Sequence, residues 1–385
     1  RLTPNIDELT FSGSVVITGK KVGRPSQRLT LHQKDLKITS AKVTKHDKHG
    51  ANKIKISRVN NQDSLHEVRI HSDEMIYPGK YQIELDFYGK ITKNMTGIYP
   101  CYFDIDEKQA DSTRKVMLAT QFESHHAREA FPCVDEPEAK ATFDLSLTTA
   151  KNLTVLSNTL PTAEKIIGKN KITKFEKTPI MSSYLLAFVI GNIHCVEGKS
   201  KSGITMRSWG HAGQPKKFLE YANKEAVQII DFFEAYFDTP FPLKKCDQIA
   251  LPDFESGAME NWGLITYREV AMLADPDNRS VSAEQYVSMV IAHELSHQWF
   301  GNLVTMKWWD DLWLNESFAS MVEHIALDHL HPEWNQWENY ASSDIIACSN
   351  RDIYKDVQSV RVDVNHPDEI HTLFDGAIVY AKGGR

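Results

Sequence analysis

The sequence has no apolar run approaching 18 residues, so no segment reads as a membrane-crossing helix. It has no CxxC pair, and its five cysteines (Cys101, Cys133, Cys195, Cys246 and Cys348) are scattered. An odd, dispersed set argues against a disulfide framework and against a cysteine-ligated zinc site. It reads as free thiols in a reducing, cytoplasmic setting. A basic tract is also missing. With 44 Lys and Arg against 51 Asp and Glu the net charge is −7, which argues against nucleic acid as a partner. Repeats and low-complexity segments are absent. What remains is ordinary: 41% of the 385 residues are hydrophobic and 25% charged. That composition excludes a disordered chain, and the length suits two or three domains with sizeable cores.

Roughly the first half reads as strands. Thr10–Ile17, Arg28–Leu31 and Ile54–Ser57 are short and rich in Val, Ile and Thr. Tyr81–Tyr88 and Phe143–Thr148 alternate apolar with polar residues, as a half-buried antiparallel strand does. Tyr184–Ile190 is continuously apolar and reads as a fully buried strand. Lys45-His-Asp-Lys-His49 reads as a solvated hairpin tip. The periodicity then changes. Phe218, Ala222, Ala226, Ile229, Phe233 and Phe237 recur near helical spacing before Thr239-Pro-Phe-Pro242. Ser282-Ala-Glu-Gln285 has the form of a capping box opening a second helix, and a third pattern runs from Glu316 to Leu330. The expectation is an α+β multidomain chain: an antiparallel β domain over residues 1–206 and a mainly helical domain over 207–385.

The sharpest local signal is His293-Glu294-Leu-Ser-His297. Four residues apart on a helix, His293 and His297 stack on one face and can share a tetrahedral Zn²⁺. Glu294 lies about 100° round the helix, able to reach a water at the metal without ligating it. The two histidines also share a stripe with Tyr286, Met289 and Val290, and satisfied core histidines would give the same pattern. Glu316, with eighteen residues between it and His297, favours the metal reading. A catalytic zinc takes three protein ligands and keeps one position open, and two His with one Glu is such a set. Asn315 and Asp311 either orient the imidazoles or cap the helix.

Gly257-Ala258-Met259-Glu260-Asn261 precedes His293 with 31 residues between. GAMEN, then HExxH and a spaced Glu, resembles the zinc aminopeptidases of aminopeptidase N type, the family that includes leukotriene A4 hydrolase. Gln121-Phe-Glu123, Ala130-Phe-Pro-Cys-Val-Asp-Glu-Pro137, Trp308–Glu316 and Tyr380-Ala-Lys-Gly383 match in the same order, so the resemblance spans essentially the whole chain. Ser296 and Ser317 stand where Ala and Gly are commonest.

The resemblance implies a thermolysin-like second domain and a zinc aminopeptidase that cleaves the first peptide bond of peptides with a free N-terminus. It implies one Zn²⁺ per chain on His293, His297 and Glu316, with Glu294 as general base on the zinc-bound water. Glu260, with Gln121 and Glu123 from the β domain, would grip the substrate's α-amine, which is mostly cationic at pH 7. Tyr380 would stabilise the oxyanion. An epoxide hydrolase of the same family would need the same zinc, and a non-catalytic scaffold could keep the fold. Family members continue past the Lys-Gly segment, so the chain resembles a fragment of a longer enzyme, clipped at its first strand as well.

Overall fold

The computed structural model describes residues 1–48, 50–105 and 114–384. Its N-terminal part is built on an eight-stranded sheet. The strand order is Pro161–Ile167, Asn170–Phe175, Ser146–Ala150, Leu2–Asn5, Thr10–Lys21, Gly79–Lys90, Lys37–Asp47 and Gly50–Ile54. The Tyr81–Tyr88 alternation lies in the Gly79–Lys90 strand, which pairs antiparallel with a strand on each side. Tyr81, Ile83 and Leu85 face inward with Val43. Against them pack Leu31, Val68, Ile70 and Ile76 from a three-stranded sheet of Ser26–His32, Glu67–Ile76 and Ile56–Gln62. The hairpin expected at 45–49 joins Lys37–Asp47 to Gly50–Ile54, and His49 lies outside the described residues.

A four-stranded sheet, ordered Thr154–Ser157, Phe188–Gly191, Lys115–Gln121 and Gly97–Phe103, leads toward the second domain. Met117, Leu118, Ala119 and Thr120 are buried in succession, so this strand is covered on both faces. It ends at Gln121 and delivers the Gln121–Glu123 segment to the domain junction. The apolar run Tyr184–Ile190 is only half strand. Phe188–Gly191 pairs, whereas Ser183–Leu185 forms a buried 3₁₀ turn. A continuous apolar run reports burial, and burial does not distinguish the two conformations.

A five-stranded sheet opens the second domain: Ile193–Lys199, Thr205–His211, Lys245–Leu251, Leu264–Arg268 and Ala258–Met259. The three middle strands are parallel and the two outer pairs antiparallel. A division at residue 206 therefore falls inside the second strand of this sheet. The bend between the first two strands, Ser200-Lys-Ser-Gly-Ile204, has the composition of a linker. Helix α1 (Glu220–Tyr236) is the crossover between parallel strands and buries Ala222, Ala226, Ile229 and Phe233. Helices α2 (Val281–Ser296) and α3 (Trp313–Leu330) pack together beyond it. The α2 cap is Ser280, whose Oγ accepts from Ala283 N, so the helix starts before the expected Ser282 box. Among the described residues no helix is long and apolar enough to cross a membrane.

Candidate active site

Helix α2 puts His293 and His297 one turn apart, and the first turn of α3 brings Glu316 to them. The Nε2 atoms of the two histidines are 3.1 Å apart, and Glu316 Oε2 lies 3.3 Å from one and 3.4 Å from the other. A tetrahedral ion with ligands at about 2.0–2.2 Å has ligand–ligand edges of about 3.3–3.6 Å, so the triangle has the right size. The far sides of both rings are engaged. Nδ1 of His297 donates to the Phe300 carbonyl at 2.9 Å, and Nδ1 of His293 to Glu323 Oε2 at 2.6 Å. With Nδ1 as the donor, the neutral form of each ring turns an Nε2 lone pair inward, whereas, against burial, Glu316 and the neighbouring carboxylates by themselves raise both imidazoles above their ordinary value. Two lone pairs facing one point, with a carboxylate oxygen beside them, form a donor set that suits a cation. Among the described residues this is the one such group. Burial opposes the ionisation of Glu316, but His297 and His293 more than offset it and hold the carboxyl at about 2.

Glu294 is buried, and its Oε2 has no hydrogen-bond partner. Burial pushes it up to about 8 despite the two histidines. The Gly257–Asn261 segment lies alongside. Ala258 and Met259 form the edge strand of the five-stranded sheet, registered on Tyr267 and Thr266. Gly257 is exposed and its carbonyl accepts from Arg268 N at 2.9 Å, while Met259 is buried. The Glu260 carbonyl accepts from Gln298 Nε2 at 3.1 Å and Asn302 Nδ2 at 2.9 Å, both just beyond His297. Asn261 Nδ2 donates to Thr266 at 3.2 Å.

One oxygen on each of Glu260, Asn261, Gln121 and Glu123 is buried without a partner. Glu123 is raised well above the usual carboxylate range, by burial first and then by the charges of Glu260, Glu316 and Glu294. Burial also raises Glu260, against the pull of His297. Carboxylates from two domains thus share one enclosed field, and the unsatisfied oxygens are the groups a cationic ligand would bind. Tyr380 completes the cluster, its ring stacked on His293 with centroids 5.9 Å apart. The structure thus brings His293, His297, Glu316, Glu294, Glu260, Glu123 and Tyr380 into one electrostatic cluster. Gln121 stands two residues before Glu123, and Gly257, Ala258, Met259 and Asn261 flank Glu260 on the edge segment, Gly257 with open space at its Cβ position.

For Asn315 and Asp311 the structure shows neither alternative, an imidazole contact or a cap on α3. Asn315 donates to the Tyr184 hydroxyl at 3.3 Å, and Asp311 accepts from Trp313 Nε1 and pairs with Arg361. Neither touches an imidazole. The orienting groups are Glu323 and the Phe300 carbonyl. Glu323 was legible in principle, because it lies seven residues after Glu316 on the same face of α3. Tyr184, from the β domain, carried no signal apart from its apolar run.

Residues 1–185 match the Peptidase M1 N-terminal domain, and residues 221–385 match the Peptidase family M1 domain. The chain belongs to peptidase family M1. It is 45% identical over 385 residues to aminopeptidase N of Lactococcus lactis subsp. lactis, covering 99% of this chain and 43% of that protein. Aminopeptidase N of Lactococcus lactis subsp. cremoris is 50% identical over 308 residues, 80% of this chain and 36% of the relative. Puromycin-sensitive aminopeptidase of Caenorhabditis elegans is 38% identical over 387 residues, 99% of this chain and 40% of the relative. The chain thus spans about two-fifths of the length of these curated relatives. The M1 match agrees with the β domain and the helical catalytic domain described above.

Proposed function

We propose that the protein carrying this chain is a zinc-dependent aminopeptidase that removes the N-terminal residue of peptides. The observation that carries the reading is a coincidence of two neighbouring groups. The triangle of His293, His297 and Glu316 is sized for a tetrahedral ion, and Glu123 and Glu260, each with a buried, unpartnered oxygen, both interact electrostatically with Glu316. One group suits a metal, and the other suits the cationic end of a peptide.

Zinc on the three ligands would supply a Lewis acid that polarises the substrate carbonyl and lowers the pKa of water. Glu123 and Glu260 bind the α-ammonium, which places the first peptide carbonyl at the reacting centre. Gln121 has a free oxygen for the same group. The Ala258–Met259 edge strand offers main-chain groups to an extended peptide. Glu294, raised by burial, takes the proton of the attacking water and returns it to the leaving amine. Tyr380 donates to the developing oxyanion. Cys101, Cys133 and Cys246 are buried thiols, which fits a cytoplasmic enzyme.

The test is to assay the full-length protein on a panel of aminoacyl-anilides with and without a chelator. Hydrolysis that stops on chelation and returns with zinc is expected. Turnover unaffected by metal removal would overturn the proposal.

A further inference from the structure

Tyr184 belongs to the β domain, yet its hydroxyl touches both segments that carry the metal-ligand set. It sits in the buried turn Ser183–Leu185, its ring 5.4 Å from that of Trp309. The hydroxyl donates to the Gly301 carbonyl at 3.2 Å and accepts from Asn315 Nδ2 at 3.3 Å. Gly301 follows Phe300, whose carbonyl holds Nδ1 of His297, and Asn302 N donates to the His297 carbonyl at 3.1 Å. Space here is short. A Cβ on Gly301 would stand 3.2 Å from His297 Nδ1 and 3.4 Å from Asn315 Nδ2, and the residue has φ +124°. Asn315 immediately precedes Glu316. Both lie in the first turn of α3, where their amides share the Leu312 carbonyl at 3.0 and 3.2 Å.

We infer that Tyr184 is a positioning residue for the metal centre: one hydroxyl from the β domain sets the spacing between the His297 segment and the Glu316 segment. The metal affinity of the second domain then depends on docking of the first. Without this bond the 3.4 Å separation of His297 and Glu316 rests on the packing of α2 against α3 and on the His293–Glu323 bond, which holds the other histidine. The inference rests on the reading of His293, His297 and Glu316 as ligands.

The test is zinc affinity in the full-length protein, measured by competition with a chromogenic chelator, alongside thermal unfolding of the metal-stripped forms. Tyr184→Phe keeps the ring on Trp309 and removes only the hydroxyl. It is expected to weaken zinc binding about tenfold, in the range seen when groups that orient ligands are lost. Asn315→Ala should weaken it similarly, and the double variant should lose less than the product of the two. Ser157→Ala is the control. It removes a buried β-domain hydroxyl bond to the Ala187 carbonyl, 2.8 Å long, that touches no ligand segment. It should lower the unfolding temperature and leave zinc affinity unchanged. Wild-type affinity in Tyr184→Phe would overturn the inference, as would an equal loss in Ser157→Ala. Failure of the wild-type protein to take up one zinc would instead overturn the ligand assignment on which it rests.

Discussion

Tyr380 lies nearly parallel to His293, ring planes 26° apart and centroids at 5.9 Å. It rides on the π-helical turn Gly376–Ala381, which Asp375 caps by accepting from Ala377 N and Ile378 N. Ser317 Oγ, next to Glu316, donates to the Val379 carbonyl of that turn at 2.5 Å. Helix α3 therefore holds a metal-ligand candidate and the phenol as one unit. Tyr380→Phe keeps the stacked ring and deletes the donor. The expected result is unchanged metal content and KM, with kcat down about 10²- to 10³-fold, the usual cost of one oxyanion donor. A variant with wild-type kcat would remove Tyr380 from the mechanism.

Glu294 and Glu316 are both buried carboxylates near the histidines, but their roles separate by metal content. Glu294→Gln should retain zinc and lose most turnover, because an amide cannot take the proton. Glu316→Ala should lose zinc affinity as well. Metal analysis of the two purified variants decides the assignment, and a zinc-free Glu294→Gln would reverse it.

Glu323 and Asp311 offer a sharper contrast. Glu323 accepts from His293 Nδ1 at 2.6 Å, so it fixes the ring and raises its basicity as a ligand. Glu323→Ala should weaken metal binding about 10- to 100-fold. Asp311 faces Arg361 instead, and Asp311→Asn should leave metal affinity unchanged. Equal effects from the two would mean that the histidine orientation does not depend on Glu323.

The metal triangle was legible because helical spacing alone aligns His293 with His297, and an α3 starting near residue 313 turns Glu316 inward. The strand carrying Tyr81–Tyr88 was legible for a similar reason: one face is buried and the alternation records it. Contacts between domains were not legible. Glu123 entered only through the family resemblance, because nothing local in Gln121-Phe-Glu123 says that it will meet Glu260. Tyr184 was hidden in an apolar run, where its hydroxyl gave no periodic signal. The division at 206 falls within the strand Thr205–His211, because a hairpin bend and a linker share the same Gly and Ser chemistry.

Glu129 ties the segment after Glu123 to the β domain, and it should show in acid. It accepts from Lys34 Nζ at 2.9 Å and pairs with His126 Nδ1 at 2.9 Å. Burial would raise its carboxyl, but His126 and Lys34 outweigh that and hold it at about 2, from an ordinary 4.5. A depressed carboxyl stabilises the fold above its unfolded pKa, and the contribution fades as pH falls toward the folded value. The shift corresponds to stability on the order of 3 kcal/mol at neutral pH. In urea unfolding of the full-length protein, the gap between wild type and Glu129→Gln should be widest above pH 5 and narrow steadily below pH 4.5. A gap independent of pH between 5 and 3 would show that Glu129 acts through packing alone.

The exopeptidase rule rests on Glu123 and Glu260. They come from different domains, Glu260 buried and Glu123 half-buried, and each has a buried oxygen without a partner. Enclosed carboxylates that act on one another electrostatically favour a cation between them, and a peptide's α-ammonium supplies one. Acetylating that amine removes the charge and adds bulk, so the blocked peptide leaves both carboxylates desolvated and unpaired. Losing a charge-assisted contact costs about 1.5–3 kcal/mol, or roughly ten- to a hundredfold, before steric exclusion is counted. Matched peptides with free and acetylated N-termini, assayed at pH 7 with the full-length enzyme, should differ in kcat/KM by at least that factor. Glu123→Gln and Glu260→Gln should each shrink the difference, because they weaken the grip on the free amine more than on the blocked one. Equal cleavage of both wild-type substrates would mean that the cavity is an endopeptidase cleft, and that the two glutamates bind something other than an N-terminus.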